Sequence, residues 1–321
     1  MRILVVRNDK LGDFITALPT LYVLKQYNRN NKIVVCVAPL NKKLAMACDF
    51  IDEVIVDRAD DSVFTLARQL KDAKIDISIT LFSNTKVAIA QFFAGIKKRV
   101  APATKIAQIF YTHRIKQRRS EVKMAEYQYN LELAKAAFAD INLNYPKPLL
   151  RFEDSQRVIN SFKTQHAITK EIVAFHVGFG GSSDANWSLD EYVILIDEVL
   201  KSNKYQVVLT FGPDEVKLMQ TMQEKLQNRD VIFVISKDGL VEFAKLICGF
   251  KYFISTSTGT YHLASLVGTH TITFFADTLF ASAARWKSIG DEKLQEHFMI
   301  MQEKEPREKL FEQVQKYLAT L

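Results

Sequence analysis

Met1-Arg-Ile-Leu-Val-Val-Arg-Asn-Asp-Lys-Leu-Gly-Asp-Phe-Ile-Thr-Ala-Leu-Pro19 opens the chain and decides its fold. Ile3–Val6 is a short apolar run rich in β-branched residues, the pattern of a strand buried on both faces. Asn8–Lys10 reads as a polar turn, and Gly12 as the residue that lets the backbone turn tightly. Asp13 then stands at the start of a helix. A carboxylate is thereby placed at the C-terminal edge of a buried strand, where open α/β sheets bind ligands.

The same alternation runs along the rest of the chain. Strands are expected at Ile33–Ala38, Glu53–Val56, Asp76–Leu81 and Arg99–Ala101, with helices at Ala17–Tyr27, Ser62–Lys71, Thr85–Ala94 and Ser120–Ala139. Asn142-Leu-Asn-Tyr-Pro-Lys-Pro148 is polar and carries two prolines, so it reads as a linker. Beyond it, strands are expected at Ile172–His176, Gln206–Thr210, Val231–Val234, Tyr252–Ser255 and Thr271–Phe275. The intervening helices are Leu189–Lys201, Asp214–Gln227, Gly239–Cys248 and Thr260–Val267, and Pro306–Leu321 closes the chain as a helix. Alternating strands and helices imply right-handed βαβ units and parallel sheets. The expected architecture is α/β, with two Rossmann-like domains, residues 1–145 and 146–321, facing across a cleft. The final helix is expected to pack back toward the N-terminal domain.

Composition narrows the class. The 321 residues are 48% hydrophobic and 25% charged, enough apolar mass for two ordinary cores. No stretch reaches the roughly 18 apolar residues of a membrane-spanning helix. The chain begins on a strand, so a secretory signal is not expected. Cys36, Cys48 and Cys248 are isolated in apolar surroundings and read as reduced core thiols of a cytosolic protein. The net charge of +7 points to an anionic partner. Much of it sits in residues 97–119, which hold eight Lys or Arg and no Asp or Glu. The bland reading of such a run is a solvated face. No nucleic-acid motif surrounds it, so nucleic acid is not the expected partner.

In the second half, Ser257-Thr-Gly-Thr-Tyr-His-Leu263 follows a strand and opens a helix. Free backbone N–H groups and the positive end of a helix dipole suit phosphate at such a place. Upstream, His176-Val-Gly-Phe-Gly-Gly181 offers a glycine-rich loop for close approach to a diphosphate. Thr210-Phe-Gly-Pro-Asp-Glu215 ends the next strand with two carboxylates. The Gly178-x-Gly180-Gly181 cluster lacks the full dinucleotide fingerprint, and the first βα turn has none, which weighs against a dehydrogenase.

Taken together, Arg7, Gly12, Asp13, Leu18 and Pro19, then Asn186-Trp187, Thr258-Gly259, His262-Leu263 and Arg285-Trp286, resemble glycosyltransferase family 9. This family contains the ADP-heptose:lipopolysaccharide heptosyltransferases. The resemblance implies the two-domain GT-B fold and an inverting, metal-independent glycosyltransferase without a cofactor. It implies Asp13 as general base. The donor, an ADP-sugar such as ADP-heptose, would be held by Thr258, Gly259, His262, Asp214, Gly180, Gly181 and Thr278, with Glu215 in reserve to Asp214. An anionic, lipid-linked core oligosaccharide would be the acceptor, bound by Arg7, Lys10, Gly12, Lys98, Arg99 and Arg119. The protein would touch the cytoplasmic face of the inner membrane. Two positions depart from the family pattern: Ala185 stands where a phosphate-binding Lys is usual, and Ser257 where an Asp is usual. Those departures keep a non-catalytic nucleotide-sugar or lipid-core binding protein of the same fold as the rival reading. Lys10, Arg285 and Lys287 are the cations expected to substitute for the missing Lys.

Overall fold

The computed structural model describes residues 1–179 and 185–321, which form two compact units, Met1–Pro146 and Lys147–Leu321. In the first unit the order is β1 (Arg2–Val6), α1 (Leu11–Tyr27), β2 (Lys32–Val37), α2 (Lys42–Met46), β3 (Glu53–Val56), α3 (Val63–Asp72), β4 (Ile77–Thr80), α4 (Thr85–Phe93), β5 (Lys98–Pro102), β6 (His113–Ile115) and α5 (Glu126–Ala137). The second unit runs α6 (Ser155–Gln165), β7 (Glu171–His176), α7 (Leu189–Lys201), β8 (Tyr205–Phe211), α8 (Val216–Lys225), β9 (Val231–Ile235), α9 (Leu240–Ile247), β10 (Tyr252–Thr256), α10 (Gly259–Leu266), β11 (His270–Ala276), α11 (Ala283–Trp286), β12 (Gln295–Ile300) and α12 (Lys304–Ala319).

Each unit holds one six-stranded parallel sheet, in the orders β3-β2-β1-β4-β5-β6 and β12-β11-β10-β7-β8-β9. Counted within its own unit, each sheet runs 3-2-1-4-5-6, the Rossmann order. The direction of winding reverses between β1 and β4 in one sheet and between β7 and β10 in the other. Ligands of such sheets bind at the C-terminal ends of those strands. The central strands are apolar because helices cover both faces: Ile3, Leu4, Val5, Ile172, Val173 and Ala174 are all fully buried.

Each expected strand is present, with ends shifted by at most one residue. Two edge strands were not foreseen. β6 is only three residues long and mostly exposed, and β12 carries Gln295, Glu296 and His297, so neither has a buried-strand signature. Helices α2, α6 and α11 were also missed. α1 begins at Leu11 rather than Ala17 and keeps Pro19 in its interior, where Pro removes one helical hydrogen bond. Gly12 is therefore a residue of the first helical turn, not of a turn before it. α12 packs against α7 and β12 of its own unit, burying Val314 and Leu318. The three cysteines are free, and burial pushes each thiol up, Cys248 to about 11. Among the described residues no helix is long and apolar enough to cross a membrane.

Candidate functional site

The C-terminal end of β1 carries Arg7, a guanidinium only 2% exposed. So deep a cation needs carboxylates, and it has three. Its Nε donates to Asp9 at 2.9 Å, Nη1 to Glu126 at 3.0 Å, and Nη2 to Asp13. Glu126, at the start of α5, is also buried and accepts a second guanidinium bond from Arg119 at 2.5 Å. Arg119 is held in turn by Gln117 Oε1, at 2.7 and 2.9 Å, and lies over the Tyr129 ring. Among the described residues, three anions here share two cations. Burial raises the Asp9 pKa and Asp13 raises it further, Arg7 opposes both, and the result is about 6. Burial lowers the Arg7 pKa, but Asp9, Asp13 and Glu126 together raise it further, so the guanidinium stays charged.

Asp13 is the third residue of α1. A carboxylate in the first helical turn is favoured by the dipole, which explains its place without any function. Its ion pair with a buried arginine adds a second property, a fixed orientation. Thr16 Oγ1 donates to the Asp13 carbonyl at 2.7 Å, and Asn130 of α5 donates to Thr16, tying the first turn of α1 to α5. Asp13 keeps part of its side chain open to solvent, 17%, so the fixed carboxylate is reachable.

The expected acceptor residues divide. Arg7 is a strut for Asp13 rather than a surface contact. Arg119 belongs to the same buried cluster. Lys98 donates to the Ala137 carbonyl at 2.9 Å, and Arg99 donates to the carbonyls of Phe110, at 2.7 Å, and Ile96. These cations are engaged in holding the first unit together. Lys10 is exposed at the N-cap of α1, one residue before the helix begins.

In the second unit the loops after β7, β8, β10 and β11 meet the sheet's C-terminal edge. Thr258 is the N-cap of α10 but makes no side-chain cap, so the helix's first N–H groups are not satisfied by it. Its hydroxyl instead lies 2.8 Å from that of Thr260. Thr278, after β11, accepts from the Ala281 N–H at 3.3 Å. Of the two carboxylates after β8, Glu215 is turned toward the loop after β7 and Asp214 is turned away from it. Asp214 is exposed, whereas Glu215 accepts from the Gly212 N–H at 2.7 Å and stands 3.8 Å from His176 Nε2. A Cβ at Gly178 would overlap the Glu215 carboxylate, so a side chain there would displace it. Gly180 and Gly181 lie outside the described residues.

Both histidines of this edge are buried and neutral. Burial pushes His262 down to about 3, and its Nδ1 is 3.2 Å from Ser288 Oγ. His176 is likewise lowered by burial, against the pull of Glu215, with Nδ1 3.0 Å from Thr210 Oγ1. Neither supplies positive charge to a diphosphate. Trp187 is a core residue, packed on Phe274 and Phe311 with Arg307 over its ring. Lys287 pairs with Glu292 at 2.7 Å, and Arg285 lies over Phe280 and Trp286.

Set beside known proteins, residues 63–316 match the family model of glycosyltransferase family 9 (heptosyltransferase). A Haemophilus influenzae protein, named provisionally as a glycosyltransferase, is 37% identical over 300 residues, spanning 90% of this chain and 86% of its own. The lipooligosaccharide heptosyltransferase 2 of Campylobacter jejuni is 21% identical over 90% of this chain and 85% of its own. Among solved structures, the E. coli ADP-heptose LPS heptosyltransferase II superposes with a TM-score of 0.80 at 16% identity, covering 100% of this chain and 99% of that one. The shared fold is GT-B.

Proposed function

The chain belongs to glycosyltransferase family 9, and from that premise we propose that it transfers a heptose, or a similar sugar, from an ADP-sugar to a lipopolysaccharide-type inner-core acceptor, with Asp13 as general base. The donor and acceptor follow the similar E. coli and Campylobacter jejuni enzymes, which are named for ADP-heptose, LPS and lipooligosaccharide. The observation that carries the reading is the Asp13 carboxylate at the C-terminal edge of β1, held by the buried Arg7 and still open to solvent.

In the proposed step, an acceptor hydroxyl oxygen attacks the anomeric carbon from the face opposite the diphosphate. Its proton passes to Asp13, the bond from the anomeric carbon to the diphosphate oxygen breaks, and ADP leaves with the electron pair. One displacement inverts the configuration. Negative charge grows on the diphosphate, and the uncapped N–H groups at the start of α10 suit it. Glu215 would accept hydrogen bonds from a ribose. The transfer needs no metal in this scheme, so turnover is expected to persist in excess chelator. A lipid-linked acceptor would bring the protein to the cytoplasmic face of the inner membrane.

Asp13→Asn should lower kcat by about 10²- to 10⁴-fold, the usual contribution of general base catalysis. ADP affinity and fold should be unchanged. A variant that keeps more than half of wild-type turnover, with chemistry rate-limiting, sinks the assignment. Wild-type protein that binds ADP-sugar but transfers nothing to any core acceptor would favour the non-catalytic reading raised by Ala185 and Ser257.

A further inference from the structure

One face of the first unit is apolar and open. Phe64 on α3, Phe92 and Phe93 at the end of α4, and Ile106 and Ile109 in a short 3₁₀ helix are exposed, from 50% at Phe92 to 78% at Ile106. Their rings are continuous: Phe64 to Phe93 at 5.6 Å, Phe93 to Phe92 at 5.8 Å, and Phe92 to Phe110 at 5.8 Å. Ile106 and Ile109 are three residues apart, so on a 3₁₀ helix they project in one line. Isolated exposed apolar side chains are ordinary, but a connected set of this kind marks a contact surface.

Its charge says what it contacts. Lys105 immediately precedes Ile106, and Lys97, Arg114 and Lys116 are exposed in the same acid-free stretch. Phenylalanine and isoleucine ask for a hydrocarbon environment without hydrogen bonds, and the lysines and arginines around them ask for anions. We propose that this face docks the protein on the surface of an anionic lipid bilayer, the rings and isoleucines entering the acyl boundary and the cations meeting headgroup phosphates. A second copy of the chain fits poorly, because a two-fold contact would set this positive rim against itself. The face also joins the Asp13 cluster: Lys105 Nζ and Arg7 Cζ lie 5.1 and 5.7 Å from the centroid of one ring, Phe82. A protein docked in this way would present its base beside the lipid surface. The biological purpose rests on the reading of a lipid-linked acceptor, whereas the docking itself does not.

The test is co-sedimentation of the full chain with vesicles of phosphatidylcholine alone, or of phosphatidylcholine mixed with phosphatidylglycerol. Neither donor nor acceptor is needed, so failure here leaves the transferase reading intact. Binding is expected only to the mixed vesicles and should weaken as salt shortens the screening length. Ile106→Ser/Ile109→Ser should reduce partitioning by about tenfold or more. Lys97→Gln and Lys105→Gln should each reduce it by about fivefold. Thermal unfolding should be unchanged, because these side chains are exposed. The proposal is overturned if the wild type binds no vesicles, if it binds neutral and anionic vesicles alike, or if the variants bind like the wild type. It is equally overturned if the apolar variant abolishes a dimer of a protein that ignores vesicles.

Discussion

Asp9 is the residue where the arithmetic of the buried cluster becomes measurable. Its folded pKa of about 6 lies above the ordinary aspartate value of about 3.9. Between those two values the folded protein binds a proton that the unfolded chain does not, so ionising Asp9 costs stability as the pH rises. The cost is absent below about pH 4 and complete above about pH 6. Asparagine keeps the Oδ1 acceptor for Arg7 and removes the charge. Asp9→Asn should therefore melt with the wild type near pH 4.5 and above it near pH 8, by roughly the linkage energy of this shift. A melting difference that stays constant across this range, measured by differential scanning calorimetry, would show that Asp9 carries no displaced proton. The same cluster shows the reach of the sequence at this scale. Asp13 was legible from Gly12-Asp13 after a strand. The partner that fixes it was not, because Arg7 reads as a strand-end cation and Glu126 lies 119 residues away from it.

At the scale of the element, the loops after β7 and β8 depend on one another. Glu215 occupies the space that a side chain at position 178 would need, and the Gly212 N–H holds it there beside His176. Gly178→Ala should displace the carboxylate and weaken ADP binding by about tenfold, the value of about one hydrogen bond to a charged group. The β7–β8 pairing should survive, so far-ultraviolet circular dichroism should match the wild type. Unchanged calorimetric affinity for ADP would remove Glu215 from the donor site. The family's Gly–x–acid spacing after this strand ranks Asp214 first and leaves Glu215 in reserve. Only the turn that makes Glu215 the residue before α8 decides which one faces inward.

For the whole molecule, both tryptophans, Trp187 and Trp286, fall in the second unit, so tryptophan emission reports on that unit alone. α12 closes its core: Leu318 is 1% exposed in a cluster with Trp187, Phe274 and Ile254. Leu318→Ala should cost about 2–5 kcal/mol, the range for a buried leucine truncation. The denaturant midpoint followed by tryptophan emission should fall accordingly. If that midpoint does not move, the helix is not part of the cooperative core. The expected net charge and the parallel alternation both describe the chain at this scale, and each unit repeats one strand order.

What the sequence determined by itself is whatever rests on local pattern. Buried parallel strands are continuous apolar runs that end in turn and cap residues, so the two Rossmann sheets, the carboxylate of Asp13 beyond a strand end and the helix start at Thr258–Gly259 could all be read directly. The tertiary structure decided how side chains far apart in sequence share charge and space. It made Arg7 and Arg119 supports of one buried cluster, tied Lys98 and Arg99 to backbone carbonyls, turned Glu215 rather than Asp214 toward the loop after β7, and made His262 a neutral core group. The physical reason is that strand and helix periodicity are fixed within a few residues. Desolvation and ion pairing depend on every group brought to the same point, and no short window of sequence contains them.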